Sequence, residues 1–271
     1  MTDEDCIQFL QWSLPRLRMR WQGFRKVRGQ VCKRINARMH ELALIDIKAY
    51  RSYLEDHADE WAMLDTFCHV TISRFYRDRE LFLFLEREAL TKLSESALSR
   101  GDNRLRCWCI GCASGEEPYT LALMWDSVVG RSYPTIDIGI LATDAERIMI
   151  DRAARGCYTL NSLKDLPPEW IEQAFIRQGD LFCIRSEERK KVALLVHDIR
   201  SEMPEGLYHL VLCRNLVFTY FDEALQGEVL ARIRDKIVFG GALVIGIHES
   251  LPSGHSGFEP WPGITGVYRK V

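Results

Sequence analysis

The chain has 271 residues, 47% of them hydrophobic, with 36 Lys+Arg against 38 Asp+Glu and a formal net charge of −2. That is ample apolar material for one or two domains, and ordinary charged and aromatic fractions exclude wholesale disorder. The near-zero balance carries no global sign of a nucleic-acid binder, and no apolar run approaches the roughly 20 residues that span a bilayer.

The start, Met1-Thr2-Asp3-Glu4-Asp5, is acidic where a signal peptide is basic, so no secretory leader is expected. Residues 1 to about 90 carry helical spacing: Ile7, Leu10, Leu14 and Leu17, then Ile35, Met39 and Leu42, then Tyr50, Tyr53 and Leu54, then Trp61, Leu64, Phe67 and Cys68. Phe82 to Leu90 forms a further helical pattern. The near-neutral total hides an asymmetry inside this region. Arg16, Arg18, Arg20, Arg25, Lys26, Arg28, Lys33, Arg34 and Arg38 fall in one stretch with no acid, so the rest of the chain sums to −11. Such a block is either a docking face for something acidic or a solvated helix surface. The polar stretch Ser94 to Asn103 marks a boundary, giving a helical domain over 1–92 and a second domain over 93–271.

From Arg104 short apolar runs alternate with helical patterns, the mark of an α/β domain. Strands are expected at 105–110, 137–142, 191–196, 207–213, 242–247 and 266–270, with a helix at 118–125 and a charged hairpin around 179–190.

Ligands of an open α/β sheet sit at the carboxyl ends of its strands, so the residues delivered there matter most. The first strand delivers Gly111-Cys112-Ala113-Ser114-Gly115-Glu116-Glu117-Pro118-Tyr119. Its glycines allow close backbone approach, but it lacks both the third glycine of a dinucleotide fingerprint and the Lys-Ser/Thr of a phosphate loop. Two carboxylates favour a cationic or uncharged ligand; a tight turn with an acidic helix start is the plain alternative. Asp144 ends the second strand and suits the two hydroxyls of a ribose, or the cap of the next helix. Asp198 ends the third and suits an adenine amino group, and Arg214-Asn215 ends the fourth. A nucleoside without phosphate, bearing positive charge, points to S-adenosylmethionine, whose methyl transfer is an in-line displacement needing alignment and no metal.

The run GCASGEEPY at 111–119, Ala142-Thr143-Asp144, Cys213-Arg214-Asn215 with Tyr220-Phe221, and Gly240-Gly241 resemble the CheR-type methyltransferases, which methylate glutamates of chemotaxis receptors. Thr71-Ile72-Ser73-Arg74-Phe75-Tyr76-Arg77-Asp78 is similar to that family's T-x-F-F-R-E element, and Arg155-Gly156-Cys157-Tyr158 to its A-R-x-G-x-Y. The resemblance implies a Rossmann-like class I methyltransferase domain behind a small helical N-terminal domain. It also implies S-adenosyl-L-methionine as cofactor and a methyl ester as product. Placed on this chain, it puts Thr71, Ser73 and Arg77 over the cofactor, with Arg77 near the reaction centre. Gly111 belongs to the binding loop, Glu116 takes the ammonium, Asp144 the ribose, and Asp198 with Ile199 the adenine. Arg214 and Asn215 lie under the methyl, and Tyr220 orients the acceptor.

Tyr220 stands one residue further from the Asn than is common in the family, Asp198 replaces a usual Asn, and Thr71 stands where an Asn is common. The helix from Val31 to Leu44 resembles the family's basic receptor-facing helix and keeps Lys33, Arg34 and Arg38; the 179–190 hairpin occupies the place of its small β-subdomain. The implied partner is an acidic helical, receptor-like protein in the cytoplasm. RNA, a small-molecule acid, or a non-catalytic cofactor sensor are the competing readings. Nine cysteines, three of them at 107, 109 and 112, suggest reduced thiols packed in the interior and no zinc site, since a fourth ligand is missing. His248-Glu249 suits a strand-end cap as well as acid/base work.

Overall fold

The computed structural model describes residues 1–254 and 256–271. Its contacts divide the chain into two compact units, residues 1–71 with 216–226, and residues 72–215 with 227–271.

The smaller unit is helical: Asp3–Ser13, Arg28–Glu41, Ile47–Asp56 and Glu60–Phe67. Thr2 and Asp5 form a reciprocal capping box at the first helix, and Asp46 caps the third by accepting from the Ala49 N–H, each satisfying orphan amides of a first turn. The helical-spaced residues Leu10, Leu14, Ile35, Tyr50, Leu54 and Leu64 are fully or almost fully buried, together with Phe24 and Val31. The distant segment 216–226 is stapled into this unit by backbone groups. Arg20 N–H donates to the Tyr220 carbonyl (2.8 Å) and Asp222 N–H to the Arg18 carbonyl (2.8 Å). The Arg20 guanidinium donates to the carbonyls of Phe218 and Thr219. Gly23 permits this approach, since a Cβ there would lie 2.3 Å from the Thr219 carbonyl oxygen.

Among the described residues the larger unit holds ten strands: β1 (Arg104–Ile110), β2 (Asp137–Asp144), β3 (Cys157–Thr159), β4 (Phe175–Gln178), β5 (Leu181–Ile184), β6 (Val192–Val196), β7 (Tyr208–Cys213), β8 (Ile237–Val244), β9 (Phe258–Pro260) and β10 (Val267–Lys270). Seven form one sheet in the order β6-β2-β1-β7-β8-β10-β9, parallel through β8 and antiparallel at β10 and β9. Strand order reverses between β1 and β7, the switch point where such sheets open a crevice. β7 is buried at every position, as expected for a parallel strand covered on both faces. The remaining three form a small antiparallel sheet, β3-β5-β4, whose hairpin spans 175–184 with its turn at Gly179 (φ 61°), upstream of the expected 179–190, where Ser186–Arg189 is helical.

Three further expectations differ from the structure. The contacts divide the chain after Thr71, whereas a boundary at 92 was expected; Phe75, Tyr76, Leu81, Phe82, Leu85 and Leu93 pack into the core of the sheet unit. The fifth strand starts at Ile237, five residues before its expected start, with Gly240 and Gly241 inside it where the register against β7 shifts. The reduced-thiol expectation fails for four of the nine cysteines. Cys6 is bonded to Cys32 and Cys157 to Cys183. Each pair is brought together across 26 residues by helix packing or strand pairing, a proximity that Cys spacing alone does not encode. Cys68, Cys107, Cys109, Cys112 and Cys213 are buried and not disulfide-bonded.

Candidate active site

The loop from β1 to the helix Glu116–Met124 is bent by three left-handed residues, Gly111 (φ 71°), Ala113 (φ 49°) and Gly115 (φ 93°). Its shape is fixed from β2. The Thr143 carbonyl accepts from the N–H groups of Gly111 (2.8 Å) and Cys112 (2.9 Å). The Asp144 carboxylate accepts from Ala113 N–H at one oxygen and Glu146 N–H at the other, both at 2.9 Å. Tyr158 donates its hydroxyl to the Ser114 carbonyl at 2.7 Å. A Cβ on Gly115 would meet the Tyr119 ring at 2.9 Å and Ala153 at 3.0 Å, so the loop passes too close for any side chain there.

The two carboxylates of this loop have opposite circumstances. Glu117 Oε2 accepts from Arg214 Nη1 at 2.8 Å. Glu116 is 5% exposed, and its Oε2 has no hydrogen-bond partner although it is buried. Burial pushes the Glu116 carboxyl above its ordinary range, and the Ser73 side chain, hydrogen-bonded to it, pulls the other way. A buried carboxylate oxygen without a donor is costly unless something positive or donating fills the place.

Arg77 lies between two left-handed residues, Tyr76 (φ 54°) and Asp78 (φ 65°), and its Nη1 donates to the Ile72 carbonyl at 2.8 Å. Arg214 is buried against this segment. Its Nη2 donates to Asp78 Oδ2 (2.6 Å) and the Arg77 carbonyl (3.1 Å). Asn215 is also left-handed (φ 54°); its N–H and that of Gly246 both donate to Glu249 Oε2, at 2.9 and 2.6 Å. Asp198, past the end of β6, accepts from the Arg200 guanidinium (2.7 Å at the shortest) and from the Arg200 N–H, while Ile199 beside it is buried.

The sheet unit therefore links Ser73 to Glu116, Glu117 to Arg214, and Arg214 to the backbone of Arg77, with Gly111 and Asp144 in the same loop system. Asp198 adjoins them through the His197 N–H, which donates to the Asp144 carbonyl at 2.9 Å. Thr71 and Tyr220 belong to the helical unit. Tyr220 closes a helical turn, Val217–Tyr220, and its ring lies 4.9 Å from that of Phe24. Asp78, Glu117 and Arg200 escaped the sequence reading as site residues. Adjacency to Arg77 and to Glu116 was the available signal for the first two. Glu249 takes the capping role that its strand-end position suggested.

The basic block of the helical unit is largely committed. Arg16 donates to the Trp12 carbonyl, Arg28 pairs with Asp3, Arg34 donates to the carbonyls of Phe67 and His69, and Arg38 pairs with buried Glu60. Arg25, Lys26 and Lys33 are exposed.

A family model described as CheR methyltransferase, SAM binding domain, matches residues 71–266. A chemotaxis protein methyltransferase of Listeria innocua is 35% identical over 193 residues, covering 71% of this chain and 69% of that one. An uncharacterized 104.1 kDa protein of Rhodobacter capsulatus is 32% identical over 225 residues, 82% of this chain but 23% of that protein's length. Among solved structures, the plantazolicin methyltransferase BpumL in complex with SAH covers 63% of this chain and 49% of its own, with 15% identity and a TM-score of 0.35. The donor set fits the cofactor of that family model: Glu116 Oε2 is the unfilled acceptor an ammonium requires, and the left-handed glycines keep the loop clear of side chains.

Proposed function

Because the chain belongs to the CheR methyltransferase family and is an S-adenosylmethionine-dependent methyltransferase, we propose that it esterifies glutamate carboxylates on an acidic helical protein of the chemoreceptor type, in the cytoplasm. The observation that carries the reading is Glu116, a buried carboxylate with one unpartnered oxygen at the start of the helix that follows the β1 loop. Bound cofactor supplies an electrophilic methyl on a sulfonium; the acceptor oxygen forms the new bond to carbon as the carbon–sulfur bond breaks. No proton need move, because the acceptor is already a carboxylate, so the protein's work is alignment and exclusion of water.

Glu116 holds the cationic amino group, with Ser73 fixing its other side. Asp144, at the end of β2, receives the ribose, and Asp198 with Ile199 receives the adenine. Asn215 contacts the cofactor and Arg77 orients the acceptor carboxylate; the family likeness assigns Thr71 to the cofactor and Tyr220 to the acceptor. The exposed Arg25, Lys26 and Lys33 meet the acidic face of the partner, which narrows the basic 31–44 helix to Lys33. Among the described residues no helix is long and apolar enough to cross a membrane.

The test uses purified chemoreceptor cytoplasmic domain and methyl-labelled cofactor. Label released as methanol by mild base supports a carboxyl ester; base-stable label on protein or RNA overturns it.

A further inference from the structure

Arg214 is the cation whose surroundings do not match a place under the reacting methyl. Its guanidinium is 4% exposed and faces two carboxylates, Glu117 at 2.8 Å and Asp78 at 2.6 Å, with the Arg77 carbonyl at 3.1 Å. The Phe82 ring closes one side, 5.3 Å away, and Nε is buried without a partner. Two of its partners, the Asp78 carboxylate and the Arg77 carbonyl, belong to the turn that carries Arg77.

That turn needs holding. Tyr76 and Asp78 both occupy the left-handed region, which residues with a Cβ adopt only when contacts over-determine them. On the N-terminal side the anchors are plentiful. Phe75 N–H donates to the Ser162 carbonyl (3.1 Å), Tyr76 N–H to the Thr120 hydroxyl (3.1 Å), and the Tyr76 ring packs on Phe82 and Trp170. On the C-terminal side, apart from the helix that starts at Arg79, the side-chain anchor is the Arg214 contact with Asp78 and with the Arg77 carbonyl.

We infer that Asp78 and Arg214 form a clamp, backed by Glu117, that sets the backbone turn on which Arg77 is presented, and that they act in methyl transfer as positioning residues through Arg77. The inference rests on the reading of Arg77 as an acceptor-orienting residue. Asp78 supplies the charge that draws Arg214 onto the turn, and Glu117 ties the same guanidinium to the helix that bears Glu116. The two sides of the crevice are thereby joined by one buried cation, so that the place of Arg77 is fixed relative to the ammonium-binding carboxylate.

The experiment is a double-mutant cycle read in two ways. Asp78→Ala, Arg77→Ala and the pair are compared in single-turnover methylation of purified chemoreceptor cytoplasmic domain, and by amide hydrogen exchange over residues 75–80 of the full chain. If Asp78 acts through Arg77, Asp78→Ala slows methyl transfer about tenfold or more, and the double variant is within about twofold of Arg77→Ala alone. Asp78→Ala also lowers the unfolding midpoint, since it breaks a buried pair, but exchange in the turn accelerates by more than exchange elsewhere in the sheet unit. Asp78→Asn, which keeps the shape and one acceptor oxygen, restores part of the rate, and it substitutes for the alanine variant if that one does not fold. Losses that multiply in the pair, or unchanged exchange in Asp78→Ala and Asp78→Asn, overturn the clamp. An Arg77→Ala enzyme at full rate, or a wild-type protein that does not methylate the receptor domain, overturns the functional reading instead, and exchange in the turn still decides whether the clamp holds it.

Discussion

Each unit contains a buried glutamate, and the two are treated oppositely. In the helical unit Glu60 is 3% exposed and both oxygens are filled: Arg38 donates from Nε (3.0 Å) and Nη2 (2.9 Å), and the Tyr50 hydroxyl donates at 2.9 Å. In the sheet unit Glu116 is 5% exposed, takes hydrogen bonds from Ser73 and nearby backbone, feels Arg152 only through its charge, and leaves Oε2 without a donor. A satisfied buried carboxylate is a joint between helices, whereas an unsatisfied one is a cost that persists where a ligand will offset it. The difference lies in partners, not in burial, and it separates architecture from site.

The comparison breaks most visibly in stability. Glu60→Ala leaves a guanidinium and a buried phenol without their acceptor, and we expect a loss of about 3 kcal/mol, toward the lower end for a broken buried pair because Arg38 is 24% exposed. Urea titration measures it, and a loss below about 1 kcal/mol would make Glu60 an ordinary surface-type partner. Glu116→Gln is expected to leave stability unchanged or raised, because it removes a desolvated charge, while weakening binding of S-adenosylhomocysteine by roughly tenfold to a hundredfold, the worth of one charge-assisted hydrogen bond. Calorimetry reads both the affinity and its pH dependence. Burial raises the Glu116 carboxyl, so the charged form that holds an ammonium is lost as pH falls through that raised value, and wild-type affinity weakens with acid. The Gln variant should bind with a flatter profile.

How much of this was legible follows the same line. The strand ends were readable, since apolar runs stopped at Gly111, Asp144, Asp198 and Arg214 in the order an α/β sheet delivers them. β3 and β9 were not, because three residues carry too little pattern to register as strands. Glu116 and Glu117 are adjacent and chemically identical, so only the packing shows that Arg214 takes the second and leaves the first. The basic block was plain as charge, yet its spending was invisible. Arg20 reaches a carbonyl 199 residues away and Arg34 reaches carbonyls 33 and 35 residues away, distances over which local sequence gives no partner. Asp144 was legible as a strand-end acid, and the two backbone amides it accepts from were not.

Smaller effects sharpen the contrast within the basic block itself. Arg34→Ala removes donors from two helix-end carbonyls and should cost about 1–2 kcal/mol. The triple change Arg25→Ala, Lys26→Ala, Lys33→Ala touches exposed side chains and should leave stability within about 0.5 kcal/mol. It should raise the apparent KM for the receptor domain and reduce the salt dependence of methylation. If the Arg34 variant alone raised that KM and the triple variant did not, the docking face would lie elsewhere.

The smallest expected effect concerns a third buried titratable group. His209 on β7 accepts from the Arg106 N–H at Nδ1 (3.0 Å), which requires that nitrogen unprotonated, and its Nε2 faces Asp102 at 3.2 Å. Burial lowers its pKa, and the Asp102 carboxylate opposes that shift without reversing it. The unfolded chain therefore binds a proton near pH 6.5 that the folded chain refuses, so stability is full above that value and declines as pH falls below it. Glu188 works against this in the same window. Burial and Asp126 raise its pKa to about 7, with Lys191 pulling it down, so it loses stability as pH rises from the unfolded carboxylate value toward neutrality. The two slopes partly cancel in the wild-type protein, and only subtraction separates them. His209→Asn, whose amide oxygen stands in for Nδ1 as an acceptor, removes the histidine slope alone. Its urea midpoint should change less favourably toward neutral pH than that of the wild type between pH 5.5 and 7.5, and parallel profiles would show that His209 does not titrate differently in the folded protein.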